Sequence, residues 1–233
     1  RYSPVSESLI GSDPVRFAGV ALFRLLLPSG VDCPVDQQGQ WFSGPARLLA
    51  FQVPGGQVYC AGSFPIATDG VIPEAMKQPE ALRALYRPAN NSPCSEVAFL
   101  LDAIGQEGMH AHWARLQDRQ VRLSGPPRVV LAGDAAHPML PTLGQGATQS
   151  IEDACVLVDE IRACLNAGED LSAVPERFAA RRQARIEFAV GFSADATDTM
   201  LAGADPVQGT LRKRRPEFLA QLRALYQDVP VPR

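Results

Sequence analysis

The spacing of apolar and polar positions changes period at Pro73. Residues 15–27 (VRFAGVALFRLLL) are rich in branched and aromatic side chains and carry no helix cap, the profile of a strand buried on at least one face. Ala46 to Val53 and Gln57 to Phe64 are two further extended runs joined through Pro54, Gly55 and Gly56, a hairpin signal. The polar, turn-rich segment Pro28 to Gly44 reads as a loop or a further short strand. Beyond Pro73 the spacing is helical. Pro79 stands where a first turn tolerates proline, ahead of Leu82, Leu85 and Tyr86, and Val97, Leu100, Leu101 and Ile104 recur at i, i+3, i+4, i+7 in a second helix ending near Gly105. A hairpin followed by helices is an α+β arrangement.

In the second half, RVVLAG (Arg128 to Gly133), bounded by Pro126-Pro127 and Gly133-Asp134, predicts a short buried strand. Ile151, Ala154, Cys155, Val158, Ile161 and Leu165 then predict the packed face of a helix that closes near Gly168, with Cys155 a packing residue. Two more helices start at prolines, one from Pro175 with Phe178, Ile186, Ala189 and Phe192 inward, the other from Pro216 with Phe218, Leu219, Leu222 and Tyr226. Arg177, Arg181, Arg182 and Arg185 are expected on the exposed side of their helix, one of them able to pair with an acid of the helix before it.

Composition narrows the partners. With 233 residues, 46% hydrophobic and 20% charged, the chain can bury one large core or two modest ones. A formal charge of -3 offers no attraction to nucleic acid or to an anionic membrane, which leaves small molecules. Five cysteines without a CxxC pair argue against a disulfide framework and a structural zinc, and suit a reducing cytoplasm. No apolar run reaches the roughly 18 residues of a transmembrane helix. His110 and His112 near Glu107 lack a fourth ligand pattern, so no metal site is expected, and Lys213 to Arg215 read as a solvated patch.

Chemistry concentrates in residues 128–155. The expected strand delivers Gly133 and Asp134 at its C-terminal end, and Ala135 to Leu143 lead into Gly144-Gln145-Gly146-Ala147 at a helix start. Open α/β sheets place ligands at that edge. Glycine admits a ligand close to the backbone, and unpaired N–H groups with the helix dipole favour a negatively charged partner. Glu152 and Asp153 suit the same dipole and need have no other role.

Strand, Gly-Asp, Ala-Ala-His-Pro, a proline-containing loop, GQGA and an Ile-Glu-Asp-Ala helix together resemble the class A flavoprotein monooxygenases, in the group of salicylate hydroxylase, 3-hydroxybenzoate 6-hydroxylase and zeaxanthin epoxidase. The match over 128–155 is nearly position by position. RYSPV resembles the residues after that family's Asp-Gly motif, with Ser6 where an Arg is expected. FAGVALFR resembles its strand ending in Trp-Arg, with Phe23 for the Trp and Arg24 kept. The hairpin, LQDRQ (116–120) and FAARRQAR (178–185) also have counterparts. No GxGxxG occurs in the chain, so the resemblance implies a C-terminal portion that lacks the N-terminal GxGxxG segment.

The resemblance implies an α+β to α/β fold: a mixed or antiparallel-sheet substrate domain, the C-terminal part of a Rossmann-like FAD-binding domain, and C-terminal helices. Residues 1–14 would end the N-terminal FAD segment, 15–122 form the substrate-binding sheet domain, 123–168 the returning FAD-binding segment, and 169–233 the C-terminal helices. It further implies FAD, held through a partial site, and NAD(P)H as reductant. Hydroxylation of an aromatic or epoxidation of an olefinic substrate, small and hydrophobic, would proceed through a C4a-hydroperoxyflavin. Asp134 would accept hydrogen bonds from FAD hydroxyls, and N–H groups around Gly146 and Ala147 would face the flavin where reduction places negative charge. Gly133 and Gln145 join this site, Pro138, Pro141 and Gly144 would shape the loop, and His137 would brace it. Arg24 would anchor an anionic substrate, or else pair with an acid of the sheet. Phe23, Phe51, Tyr59 and Phe64 suggest an apolar pocket. The chain by itself is expected to be inactive. The alternative is a non-catalytic fragment or interaction module that keeps the fold without a complete FAD site.

Overall fold

The computed structural model describes residues 3–227 and 229, apart from 12, 13, 31, 68, 69, 89, 108 and 109. Arg1 and Tyr2, the start of the RYSPV match, lie outside them. The chain forms two compact units. One comprises residues 17–116 and 198–210, the other the described parts of 1–16, 117–197 and 211–233.

The first unit begins after a short helix, α1 (Pro4–Ile10), of the second, in which the Ser6 N–H donates to the N-cap hydroxyl of Ser3. Its strands are β1 (Arg16–Leu27), β2 (Gly39–Ser43), β3 (Ala46–Val53) and β4 (Gln57–Pro65). With β5 (His112–Asp118) they form one sheet in the order β2-β3-β4-β1-β5. The pairs β2–β3, β3–β4 and β4–β1 run antiparallel. The hairpin therefore forms where expected, and the turn-rich segment before it contributes β2. β5 was not legible, because it ends in three consecutive buried residues, Leu116, Gln117 and Asp118, two of them polar, which erases the period of two.

One face of the sheet is covered by α2 (Pro79–Tyr86) and α3 (Ser95–Glu107). Leu82, Tyr86, Val97, Leu100, Leu101 and Ile104 meet Ala21, Phe23, Leu25, Leu48, Ala50 and Cys60 in a single core, as the helical spacing predicts. Phe23 lies opposite Gly62, where an added Cβ would come within 2.1 Å of its ring. It also packs on Tyr86 and Trp113, with ring centroids 6.0 and 5.6 Å away. Phe23 is thus a core residue, 0% exposed, and not the pocket lining suggested above, whereas Phe64, 2% exposed, also borders an apolar cavity with Ile66, Val71, Met76 and Leu85. The register puts Arg24, Arg47, Phe51 and Tyr59 on the opposite face.

The second unit is helical: α4 (Gln145–Ala167), α5 (Val174–Asp195) and α7 (Pro216–Gln227), whereas most of α6 (Pro206–Arg212), capped at Asp205, belongs to the first. Residues 128–133 are not the expected strand. Among the described residues they make one isolated bridge, Ser124 to Val130, and Arg128 sits at φ 70°. An apolar run becomes a strand only when a neighbouring strand takes up its N–H and C=O groups. Here Leu131 packs as irregular chain against Val156, Phe178 and Ile186.

The largest departure concerns α4. The stripe expected to pack is exposed: Ile151 66%, Val158 47% and Leu165 61%, with Ala154 and Cys155 also exposed. The buried residues are instead Gln145, Gln149, Glu152, Asp153, Val156, Glu160 and Cys164. α5 explains the reversal, because its arginines lie against those acids. Arg177 pairs with Glu169, Arg181 with Asp159 at 2.5 Å and Glu160 at 2.6 Å, Arg182 with Glu152 and Asp153, and Arg185 with Glu152. Partner numbers fall along α4 as arginine numbers rise along α5, a charge ladder between antiparallel helices. Arg182 is completely buried, and Arg181 and Arg185 are only 14% and 10% exposed, so the exposed face expected for these arginines is corrected for all three.

Candidate functional site

The residues singled out between 133 and 147 gather at the N-terminal end of α4. Gly133 begins a 3-10 turn (Gly133–Ala135) at φ 58°, a backbone conformation that glycine adopts without strain. Its N–H donates to Asp153 Oδ2 at 2.9 Å, and the same oxygen accepts from His137 Nε2 at 2.6 Å. His137 is fully buried and its Nε2 bond to Asp153 joins the loop to α4. A Cβ on Gly133 would lie 2.9 Å from Ser150 Oγ, whose hydroxyl donates to the Gly146 carbonyl at 2.8 Å. Ser150 thus leaves room at the start of the loop for glycine alone.

Asp134 projects outward between these fixed points, exposed, while Pro138 is buried. Both border a cavity of about 20 Å³, room for one water-sized group, together with Ser3, Ser6, Arg119 and Arg122. Pro141 opens a second 3-10 turn (Pro141–Leu143), and Gly144 follows in the left-handed conformation at φ 66° as the N-cap of α4. Among the described residues no side chain caps that helix, and its first turn holds no acidic residue. The first N–H groups of a helix, here those of Gln145, Gly146 and Ala147, have no acceptor within the helix itself. A Cβ at Gly144 or Gly146 would meet nothing within 4 Å, so the approach to these groups is open. An uncapped, open helix start beside an exposed carboxylate fits a flavin: N–H donors for its electron-rich edge, and an acceptor for hydroxyls.

Sequence reasoning missed what lies beneath. Arg182 donates from Nε to Asp153 Oδ1 at 2.8 Å, from Nη1 to Glu152 Oε2 at 2.7 Å, and from Nη2 to Gln149 Oε1 at 2.8 Å and the Gln149 carbonyl at 3.2 Å. Arg185 adds two bonds to Glu152, at 2.9 and 2.8 Å. Burial opposes ionisation of Glu152, but hydrogen bonds from Arg185 and Arg182 overcome it and hold the carboxyl below its usual range. Asp153 is likewise desolvated, and is held low by the bonds from His137, Gly133 and Arg182. The available signal was the matched spacing of acid pairs at 152/153 and 159/160 with arginines at 181, 182 and 185.

Arg24 belongs to the sheet unit. It is half-buried, its Nε has no partner, and it makes no ion pair among the described residues. Tyr59 lies near enough that Arg24 opposes the upward push of burial on its hydroxyl. Cys155 is exposed, in contrast to the packing role expected of it. Among the described residues no group of three or more His, Cys, Asp or Glu could hold a metal, and no helix is long and apolar enough to cross a membrane.

Comparison with known proteins agrees with this geometry. The model of the FAD binding domain family matches residues 73–193. A 3-amino-4-hydroxybenzoate 2-monooxygenase of Streptomyces platensis is 37% identical over 173 residues, 70% of this chain and 40% of that protein. A 6-hydroxynicotinate 3-monooxygenase of Bordetella bronchiseptica is 27% identical over 164 residues, 66% of this chain and again 40% of the relative. The chain therefore spans about two fifths of the length of these curated relatives. Among solved structures, HpxO of Klebsiella pneumoniae complexed with FAD and uric acid superposes with a TM-score of 0.70 at 23% identity, covering 93% of this chain and 52% of that one. The likeness is one of fold.

Proposed function

We propose, from the premise that this chain belongs to the FAD binding domain family of the class A flavoprotein monooxygenases, that it carries the substrate-facing sheet and the second anchoring surface for FAD of an aromatic-ring monooxygenase. The observation that carries this reading is the uncapped, open start of α4 beside Asp134. When bound, FAD would supply the redox and oxygen-transfer chemistry, with NAD(P)H as reductant.

The protein's own tasks are positional. The Asp134 carboxylate accepts hydrogen bonds from cofactor hydroxyls. The N–H groups of Gln145, Gly146 and Ala147 face the flavin edge that gains negative charge on reduction, and stabilise it as preorganised donors. Pro138 and Pro141 stiffen the loop, Gly133 and Gly144 supply its two left-handed turns, and His137 holds it to α4. Arg24 anchors the anionic group of an aromatic substrate, a reading supported by its partnerless Nε on a sheet face that also carries the ring pair Phe51 and Tyr59, 4.9 Å apart. The curated relatives named above are monooxygenases of a hydroxybenzoate and a hydroxynicotinate, in keeping with such an anchor. A GxGxxG segment outside this chain completes the cofactor site.

The test is to purify the full-length protein and record its absorbance. A yellow protein with flavin bands, which oxidises NAD(P)H faster with an aromatic acid present and releases the hydroxylated product, is the expected result. Asp134→Ala is expected to release the flavin. A full-length protein that never takes up FAD overturns the proposal and leaves a non-catalytic module.

A further inference from the structure

We infer that Arg182 is a positioning residue for the cofactor loop: one buried guanidinium holds both ends of residues 133–145 and thereby sets how tightly the loop grips FAD. The inference rests on the flavin reading above. At the first end, Arg182 Nε binds Asp153 Oδ1, and Asp153 Oδ2 takes the Gly133 N–H and His137 Nε2. At the second end, Arg182 Nη2 binds Gln149 Oε1, and Gln149 Nε2 reaches Gln145 Oε1 at 3.3 Å. The residue that turns into the loop and the residue that opens α4 are thus tied to the same cation, which no solvent reaches.

The coupling is electrostatic and geometric together. The Arg182 charge helps keep Asp153 ionised in a desolvated place, and an ionised Asp153 offers both oxygens as acceptors, one to Arg182 and the other to Gly133 and His137. With Gly133 and His137 held inward, Asp134 between them is turned outward. Loss of the guanidinium fork therefore loosens both anchors at once, although Arg182 itself sits behind the helix and touches no ligand. Arg181 is the natural contrast. It joins the same two helices through Asp159 and Glu160 and makes no bond to the loop or to its anchoring side chains among the described residues.

The test compares FAD dissociation constants, read by flavin fluorescence in the full-length protein, for Arg182→Lys, Asp153→Asn and Arg181→Lys. Loss of a buried, charge-assisted bond predicts that the first two weaken FAD about tenfold or more, and the third about twofold at most. Combining Arg182→Lys with Asp153→Asn is expected to weaken FAD little more than either change alone, since both act through one route. Amide exchange of residues 133–147 in the FAD-free protein gives a second readout, faster in Arg182→Lys and Asp153→Asn than in Arg181→Lys. Should Arg182→Lys fail to fold, the near-isosteric Asp153→Asn carries both measurements. A wild-type protein that binds no FAD sinks the functional proposal and leaves the exchange measurement to decide the positioning role. Equal effects of Arg181→Lys and the other two variants, in affinity or in exchange, overturn the inference.

Discussion

Two pairs of helices in this protein obey opposite rules. In the sheet unit, α2 and α3 bury their apolar stripes, and Leu82, Leu100 and Ile104 are inaccessible to solvent. In the second unit, α4 turns Ile151, Val158 and Leu165 outward and buries Glu152, Asp153 and Glu160 against the arginines of α5. Both patterns are amphipathic with the same period. Periodicity reveals that a helix has two faces; it does not reveal which face meets the neighbour. That choice falls to the neighbour, and a helix presenting four arginines at 177, 181, 182 and 185 selects acids.

The contrast can be broken most strongly at Arg182. Arg182→Met would strand Glu152 and Asp153 as buried anions short of a partner, and is expected to cost about 4 kcal/mol in urea unfolding. Leu100→Ala in α3 should cost about 3 kcal/mol through a cavity in the sheet unit's core, measured the same way. The two losses differ in mechanism, and acid separates them. Glu152 and Asp153 have folded pKa values below their ordinary values of about 4.3 and 3.9, so their contribution is complete above about pH 4.3 and is lost as pH falls through the lower folded values. Thermal melting is therefore expected to be level from about pH 5 to 7 and to decline below about pH 4, and Asp153→Asn should flatten that decline where Leu100→Ala does not.

The smallest effect is expected on the outer stripe of α4. Val158→Ser should change the stability of this chain by no more than about 0.5 kcal/mol, which a loss of several times that size would refute. Thiol labelling sharpens the same point. Cys155 and Cys94 are exposed and should react with iodoacetamide in the folded chain, whereas Cys60, its thiol pushed up to about 12 by burial, should stay silent until unfolding.

Much of this was legible locally. The hairpin Ala46–Val53 with Gln57–Pro65, the helices starting at Pro79 and Pro216, and the glycine-terminated helix ending at Gly168 follow from turn chemistry and spacing between near neighbours. So does the placing of Gly133, Asp134 and Gly144 to Ala147 around the start of one helix, because a motif of small residues at a helix start is written in consecutive positions. RVVLAG misled because a strand is a property of two segments, and this one finds only a single bridge at Val130. Phe23 misled because a strand offers two faces and only the register with Gly62 shows which is the core.

What the amino-acid order determined alone was therefore the family, the helical and extended periods, and the loop from Gly133 to Gly144 that carries Asp134. Only the tertiary structure decided that Arg182 is buried, that Asp153 holds Gly133 and His137 with one oxygen, and that the apolar face of α4 points outward. Those outcomes join residues up to 49 positions apart, from Gly133 to Arg182, through charge and hydrogen bonding. The free energy of a buried ion depends on what surrounds it, and that surrounding exists only after the two helices meet.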